Sequence, residues 1–145
     1  MKLTIHEGMK ELEDEIIINC GMVDKRLKHL IEYIRQYTFS LQGYQGNELF
    51  HLSVETLFYI ESVDGKTFLY STGQVYESRE SLLALEGKLY NTPFVRISKS
   101  CLVNTACIKS VKPYVNHRME AALKNGERLI ISRNYIESLK EKLLR

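Results

Sequence analysis

A short polar stretch between two apolar segments carries the side chains best suited to chemistry in this chain. Ser98, Lys99 and Ser100 follow Val95 and Ile97, which alternate with polar residues as in a half-buried β-strand, and apolar residues resume shortly afterwards. The two apolar segments therefore hold a polar turn that presents one amine and two hydroxyl groups. Such groups suit contacts with phosphates and with the edges of nucleic-acid bases. A solvated turn with an exposed lysine is the alternative that these residues alone leave open.

The charge of the chain is unevenly distributed. Residues 1–93 carry 9 lysines and arginines against 14 acidic residues, a net charge of −5, whereas residues 94–145 carry 11 against 4, a net charge of +7. A basic half on an acidic body is typical of proteins whose surface binds a polyanion. An accident of composition is the alternative explanation, and the size of the difference weighs against it.

Composition argues against several classes of protein. No apolar run approaches the roughly 18 residues that a membrane-spanning helix needs. Residues 1–15 are acidic and have no apolar core, unlike a secretory signal peptide. We therefore expect a cytoplasmic protein. At 145 residues, the chain is long enough for one domain or slightly more.

Cysteine and histidine positions give little support to metal binding or catalysis. Three cysteines, an odd number, argue against a disulfide framework, and the spacing of Cys101 and Cys107 is unlike that of zinc ligands. The four histidines are scattered. A pair of Cys101 and His117 brought together by folding is conceivable, but Cys101 lies in an apolar run and is expected in the core. A glycine-rich phosphate loop is also missing from the sequence. We expect no enzyme activity, no cofactor, no metal and no small-molecule substrate.

The beginning of the chain predicts a small α+β element. Residues 2–6 and 15–20 have the apolar, β-branched composition of strands, and a polar connection over Gly8–Asp14 joins them. Asp24 is suited to cap a helix over 24–37, in which apolar residues recur with helical spacing. The charged residues of that helix predict a solvated outer face.

The remainder of the chain predicts mainly antiparallel strands. Asp64 and Gly65 between two β-rich runs are a strong hairpin signal, and Ser78 or Ser81 is suited to start a helix that ends at Leu89. The predicted strands cover 39–44 and 48–52, a hairpin around Gly43 and Gly46, then 57–62, 66–71, 74–77, 94–97, 108–114, 117–123 and 127–131, and a closing helix covers 134–144.

The motif Phe94-x-Arg-Ile-x-Lys-Ser-x-Leu-Val-Asn104 resembles a known family. It is followed by Ile108, by Leu123-Lys-Asn-Gly-Glu127 and by Ile131-Ser-Arg133 before the closing helix. In this order and at this spacing, the segments are similar to the LytTR DNA-binding domain, over roughly Phe50 to Arg145. That domain usually follows a receiver domain in bacterial response regulators. The preceding residues here lack the length and acidic pocket of a receiver, so the resemblance is to a stand-alone transcriptional regulator.

The resemblance implies a fold and a mode of binding. The family's domain is α+β, a mainly antiparallel β-sandwich with flanking helices, whose inter-strand loops enter successive major grooves of double-stranded DNA. We expect it over residues 51–145, preceded by the small α+β element of residues 1–50. The residues that match the family's three contact loops are Lys66 and Thr67, then Ser98, Lys99 and Ser100, then Ser132 and Arg133.

The matched residues suit different contacts. Lys99 is able to donate to guanine O6 or N7, and the serine after it to a phosphate. The Arg133 fork suits bidentate guanine recognition, with a surface ion pair to Glu137 as the alternative. Family members often carry a basic residue or histidine in place of Thr67, so this loop departs from the family pattern for base reading. Lys66 is expected to meet phosphate, with an exposed hairpin lysine that makes no contact as the alternative. A diffuse attraction is expected from Lys109, Lys112, Arg118 and Arg128.

The resemblance also implies partners. We expect a homodimer on repeated half-sites, with residues 1–50 serving dimerisation or partner docking, and a small regulatory membrane protein as a further family-level expectation. Two alternatives stay open. One is a protein-interaction adapter that uses the basic face to meet an acidic partner. The other is RNA binding, which is disfavoured because Tyr70 and Tyr76 lie in weakly charged strands.

Overall fold

The computed structural model describes residues 1–8 and 15–143, which contain three α-helices and ten β-strands. The helices are α1 (Lys25–Thr38), α2 (Leu82–Lys88) and α3 (Ile136–Leu143). The strands are β1 (Ser40–Gln45), β2 (Glu48–Ser53), β3 (Leu57–Val63), β4 (Lys66–Ser71), β5 (Gln74–Ser78), β6 (Phe94–Ser98), β7 (Cys101–Asn104), β8 (Ile108–Tyr114), β9 (Arg118–Leu123) and β10 (Arg128–Ile131).

The strands form two antiparallel sheets, of seven strands in the order β2-β1-β5-β4-β3-β7-β6 and of three in the order β10-β9-β8. Alternate residues of the central strands enter different cores. Ile60 and Leu102 join a buried cluster with leucines of α2, whereas Tyr59, Cys101 and Val103 join a second cluster with the smaller sheet and α3. The larger sheet is therefore the middle layer. The expected α+β, mainly antiparallel fold class is confirmed.

Helix α1 begins as the sequence predicts. Asp24 Oδ1 accepts a hydrogen bond from Leu27 N at 2.8 Å, and the Asp24 carbonyl accepts one from Lys28 N at 2.9 Å. The prediction of a solvated charged face is wrong at one position, because Glu32 is only 5% exposed. Its Oε2 atom lies 3.4 Å from Lys142 Nζ, and this mostly buried ion pair ties α1 to α3.

The predicted strands over 2–6 and 15–20 are wrong. Residues 1–8 and 15–23 are irregular and exposed. A strand needs a neighbour to satisfy its main-chain hydrogen bonds, and in the described part of the chain no strand pairs with these segments. The predicted connection over Gly8–Asp14 lies largely outside the described residues.

The hairpin of β1 and β2 turns at Gly46, whose φ of 60° favours glycine. Gly43, expected at the turn, lies instead inside β1. A Cβ atom there would come within 2.7 Å of Leu52 Cδ1 and 2.8 Å of Tyr76 Cβ, so close packing is what requires glycine at this position. Strand β1 also pairs with β5, and the expected boundary between residues 50 and 51 falls inside β2.

The other predicted turns and helix starts largely hold. Asp64 and Gly65 have φ values of 51° and 79°, as a two-residue type I′ turn requires. Ser81 starts α2, since its Oγ atom accepts a hydrogen bond from Ala84 N at 3.1 Å. The closing helix begins later than predicted, because Arg133–Tyr135 form a 3-10 turn. In the part of the chain that is described, no helix is both long and apolar enough to cross a membrane.

Candidate nucleic-acid interface

Three loops meet at one end of the larger sheet. They are the turn between β3 and β4 (64–66), the turn between β6 and β7 (98–100) and the link between β10 and α3 (132–133), here called the three-loop surface. Ser62 N, in β3 just before the first loop, donates to the Ser100 carbonyl of the second loop at 2.8 Å. Ser132 N of the third loop donates at 2.9 Å to the carbonyl of Ile97, in β6 just before the second loop. Main-chain hydrogen bonds thus hold the loops side by side.

Lys99 lies at the tip of a tight turn. Ser98 pairs with Cys101 across the end of the hairpin, and Ser98 Oγ accepts a hydrogen bond from Ser100 N at 3.2 Å. Lys99 and Ser100 are exposed. Lys99 forms no ion pair with any described residue, so its amine is available to a ligand.

Arg96 supports this turn, a role that the sequence analysis missed. Its Nη1 atom donates to the Lys99 carbonyl at 2.6 Å, and its Nη2 atom donates to Glu86 Oε1 of α2 at 2.9 Å. The side chain is only 15% exposed. The spacing of an arginine three residues before the turn residue is the one signal in the sequence. Its partner on α2 is ten residues away and is not visible from local pattern.

The first loop offers one accessible cation. Lys66 is exposed at the start of β4, directly after the tight turn, and forms no ion pair within residues 1–8 and 15–143. The prediction of a contact through Thr67 is corrected, because its side chain is 5% exposed. Thr67 lies between Ser62 of β3 and Ser78 of β5 in the sheet, and its side chain points to the buried face. Of the two residues predicted to contact DNA from this loop, only Lys66 is therefore exposed.

Arg133 is exposed in the third loop. It starts the 3-10 turn that follows Ser132, in which Tyr135 N donates to the Ser132 carbonyl at 3.0 Å. The alternative of an ion pair with Glu137 is not seen, and among the described residues Arg133 has no acidic partner. Its planar fork is thus open to a bidentate contact.

The basic residues of the smaller sheet are less available to a ligand than their number suggests. Lys112 Nζ and Arg128 Nη1 lie 3.6 Å and 2.8 Å from the same oxygen of Glu120, which offsets part of their charge. Arg118 lies over the Tyr114 ring, with its guanidinium carbon 5.1 Å from the ring centroid. These contacts favour a diffuse attraction over specific reading by this group.

The two tyrosines that bear on RNA binding are occupied within the fold. Tyr70 stacks on Tyr59, with ring centroids 4.2 Å apart and an interplanar angle of 12°. Burial, together with the nearby Glu61 carboxylate, raises the pKa of Tyr70. Tyr76 meets Phe50 edge to face with centroids 5.2 Å apart. Neither ring is an open platform for a nucleobase, which further disfavours RNA binding.

Cys101 is not suited to act as a nucleophile. Burial raises the pKa of its thiol to about 12, so the group stays protonated at neutral pH. His117, its conceivable partner, is exposed in the loop between β8 and β9. Within the described residues, no group of three or more histidines, cysteines and acidic residues is arranged to hold a metal ion.

Comparison with known proteins identifies the family. The family model of the LytTr DNA-binding domain matches residues 47–144, about two-thirds of the chain. Sensory transduction protein LytT of Enterococcus faecalis is 30% identical over 100 residues, covering 68% of this chain and 41% of that protein. Transcriptional regulatory protein LytR of Staphylococcus aureus is 30% identical over 89 residues, covering 61% and 36%. The chain thus matches less than half the length of these relatives.

A solved structure shares the fold. The LytTr DNA-binding domain of a putative methyl-accepting/DNA response regulator from Bacillus cereus superposes with a TM-score of 0.67 at 23% sequence identity. The match covers 72% of this chain and 95% of that domain. With the family model spanning the larger sheet from β2, the smaller sheet and α3, the chain belongs to the LytTr DNA-binding domain family.

Proposed function

We propose that this chain is a sequence-specific transcriptional regulator that binds double-stranded DNA and reads major grooves through the three-loop surface. The observation that carries the proposal is the placement of Lys66, Lys99 and Arg133 in loops at one end of the larger sheet. Each is exposed and without an ion pair in the described part of the chain. Family membership and the names of the relatives, which denote sensory transduction and transcriptional regulation, support it.

The proposal assigns different work to the loops. Lys99 and Arg133 donate to guanine acceptors, because a free amine and a free planar fork match O6 and N7. Lys66, Ser100 and Ser132 meet phosphates, which fix the position of the protein on the duplex. Ser98 keeps its hydroxyl on the main chain of the turn and acts there as a support. No catalytic step forms part of the proposed function.

The test is recovery of sequence-specific fragments from genomic DNA with the purified protein, followed by titration of a recovered site and a shuffled control. If about four to eight phosphates are contacted, log K falls against log salt with a slope of about −4 to −7. Lys66→Ala is expected to reduce that slope by about one unit and to weaken binding to the recovered site and to the shuffled control alike. No enrichment, together with a slope near zero, would overturn the proposal and favour the adapter function.

We further propose that the chain acts in the cytoplasm as a homodimer, joined through its first residues. The support is an exposed apolar segment before α1, in which Ile16 and Ile17 are 66% and 68% exposed and Val23 is 55% exposed. Apolar residues so close together favour burial against another protein. We propose that a second copy of the chain covers this segment, because binding to repeated DNA half-sites requires a pair of subunits. A regulatory membrane protein is the alternative partner.

Sedimentation of the full chain tests the dimer. At tens of micromolar, a dimer is expected, and Ile17→Asp is expected to shift it towards monomer. The substitution leaves the described DNA-facing residues untouched, so binding to a single half-site should persist. A full chain that sediments as a monomer at this concentration would refute the dimer while leaving the DNA proposal standing.

A further inference from the structure

Arg96 joins the Lys99 turn to helix α2. It donates to the Lys99 carbonyl at 2.6 Å with Nη1 and to Glu86 Oε1 at 2.9 Å with Nη2. We infer that Arg96 is a positioning residue that holds this turn in the conformation presenting Lys99 to DNA, and that Glu86 keeps Arg96 in place. The inference rests on the proposed reading of DNA by Lys99.

The hydrogen bonds around the turn divide the task. Ser100 N donates to Ser98 Oγ at 3.2 Å, and Ser62 N donates to the Ser100 carbonyl at 2.8 Å, so both fix the flank that follows Lys99. Arg96 supplies the bond to the Lys99 main chain itself. The orientation of the Lys99 peptide group therefore depends on the position of the Arg96 guanidinium.

The planar guanidinium is suited to this bridge. It presents several N–H donors in fixed directions, so one side chain bonds a carbonyl and a carboxylate at once, which lysine cannot reproduce with the same geometry. The Arg96 side chain is 15% exposed, and its two terminal nitrogens are both engaged. An arginine that contacts phosphate directly would need an open guanidinium, as Arg133 has.

Glu86 separates positioning from direct contact, because the two roles give effects of opposite sign. Removing an acidic charge near DNA strengthens binding by electrostatics alone, on any sequence. If Arg96 contacted phosphate directly, Glu86→Gln would free it and tighten specific and random DNA alike. If Arg96 positions the turn, Glu86→Gln loosens the Lys99 peptide and weakens the specific site.

The experiment compares Glu86→Gln with Glu80→Gln in the full chain, on the recovered site and on random DNA. Glu80 is a matched control because it carries the same charge and forms a surface ion pair with Lys88, without touching Arg96. Relative to Glu80→Gln, we expect Glu86→Gln to bind the specific site about fivefold to tenfold more weakly and random DNA about equally well. Equal tightening on both DNAs by Glu86→Gln would overturn the inference, as would a loss equal to that of Glu80→Gln.

A second measurement needs no DNA and separates this inference from the proposed function. The Ser62 amide donates to the Ser100 carbonyl, so its hydrogen exchange reports on the turn. Glu86→Gln is expected to speed this exchange, whereas Glu80→Gln leaves it unchanged and Glu86→Asp, which keeps a carboxylate, restores part of the protection. Unchanged exchange in Glu86→Gln would refute the role of Glu86 in keeping Arg96 on the turn, whatever the DNA result.

A double variant that combines Glu86→Gln with Lys99→Ala tests whether Arg96 acts through Lys99. If Arg96 acts through Lys99, then Glu86→Gln costs little further specificity once Lys99→Ala is present, because the two losses share one contact. Fully additive losses would refute that route. A third outcome separates the two proposals: faster Ser62 exchange in Glu86→Gln, with an unchanged specific-to-random ratio in both Glu86→Gln and Lys99→Ala. This outcome would confirm that Arg96 holds the turn, but it would count against the proposed reading of DNA by Lys99.

Discussion

Replacing Arg133 by alanine tests the proposed interface at one of its exposed cations. The side chain begins the 3-10 turn before α3 and has no ion pair among the described residues, so its removal leaves no buried group without a partner. Loss of a bidentate guanine contact costs about 1–3 kcal/mol, or roughly 5-fold to 150-fold in Kd, on the specific site alone. Stability should change by less than about 0.5 kcal/mol, equivalent to about 2 °C or less in Tm.

The assay is a titration of wild type and variant on the specific site and on random DNA at two salt concentrations, beside a melting curve. Arg128→Ala is the matched control, since it also removes one arginine from the basic half. Its guanidinium lies 2.8 Å from Glu120, so the charge it offers to DNA is already partly offset. Arg128→Ala should weaken both DNAs slightly and equally, and should leave the specific-to-random ratio unchanged.

Two results would contradict this account of Arg133. A markedly lower Tm with an intact specific-to-random ratio would make Arg133 a structural residue, with the reading left to the Lys99 turn. An equal loss on both DNAs, with a salt slope reduced by about one unit, would make it a phosphate contact.

Three further predictions concern the fold. Gly43→Ala should destabilise it by about 1–3 kcal/mol in chemical denaturation, because the added methyl group would lie under 3 Å from two side-chain carbons. Lys142→Met should lower the free energy of unfolding by about 2–3 kcal/mol, since it removes a partner from the buried Glu32 carboxylate; at this chain length, Tm falls by roughly 4–12 °C. Burial raises the pKa of the Cys101 thiol from its ordinary value of 9.0 to about 12, so its contribution to stability is complete below pH 9.0 and is lost as pH rises towards about 12. Urea unfolding should therefore give a lower free energy of unfolding at pH 9.5 than at pH 8, and Cys101→Val should reduce this difference.

Each of these predictions has a control. Gly21→Ala places a methyl group with no atom within 4 Å and should be nearly neutral, so equal effects at both glycines would refute the packing argument. Lys140→Met removes an exposed lysine from the same helix and should shift Tm little. An identical pH dependence in wild type and Cys101→Val would show that the thiol is not the group responsible.

Local signals predicted what local interactions decide. The Asp64-Gly65 turn and the Asp24 and Ser81 caps follow from φ preferences and hydroxyl or carboxylate acceptors near the chain, and the structure has them where expected. The sequence also contains a signal for the burial of Thr67, because Leu69, two residues later, lies on the same face of β4. The family pattern, which places Thr67 at a DNA contact, does not take this alternation into account.

Features that depend on distant residues were beyond local pattern. The composition of 15–20 records the ability to form a strand, but a strand requires a partner that the described chain does not supply. The close approach that requires glycine at Gly43 comes from Leu52 of β2 and Tyr76 of β5, and the hydrogen bond from Arg96 to Glu86 joins β6 to α2. Both contacts depend on which helices and strands pack together, and a short stretch of sequence does not contain that information.

The main-chain hydrogen bonds that join the three loops have a consequence for how such a protein diversifies. The bonds from Ser62 to Ser100 and from Ser132 to Ile97 use no side-chain atom, so they do not depend on the side chains present at positions 66, 99 and 133. If the three loops read DNA as proposed, base preference can therefore change while these main-chain bonds stay as they are. A library randomised at Lys66, Lys99 and Arg133 would test this by selection for binding to new DNA sites.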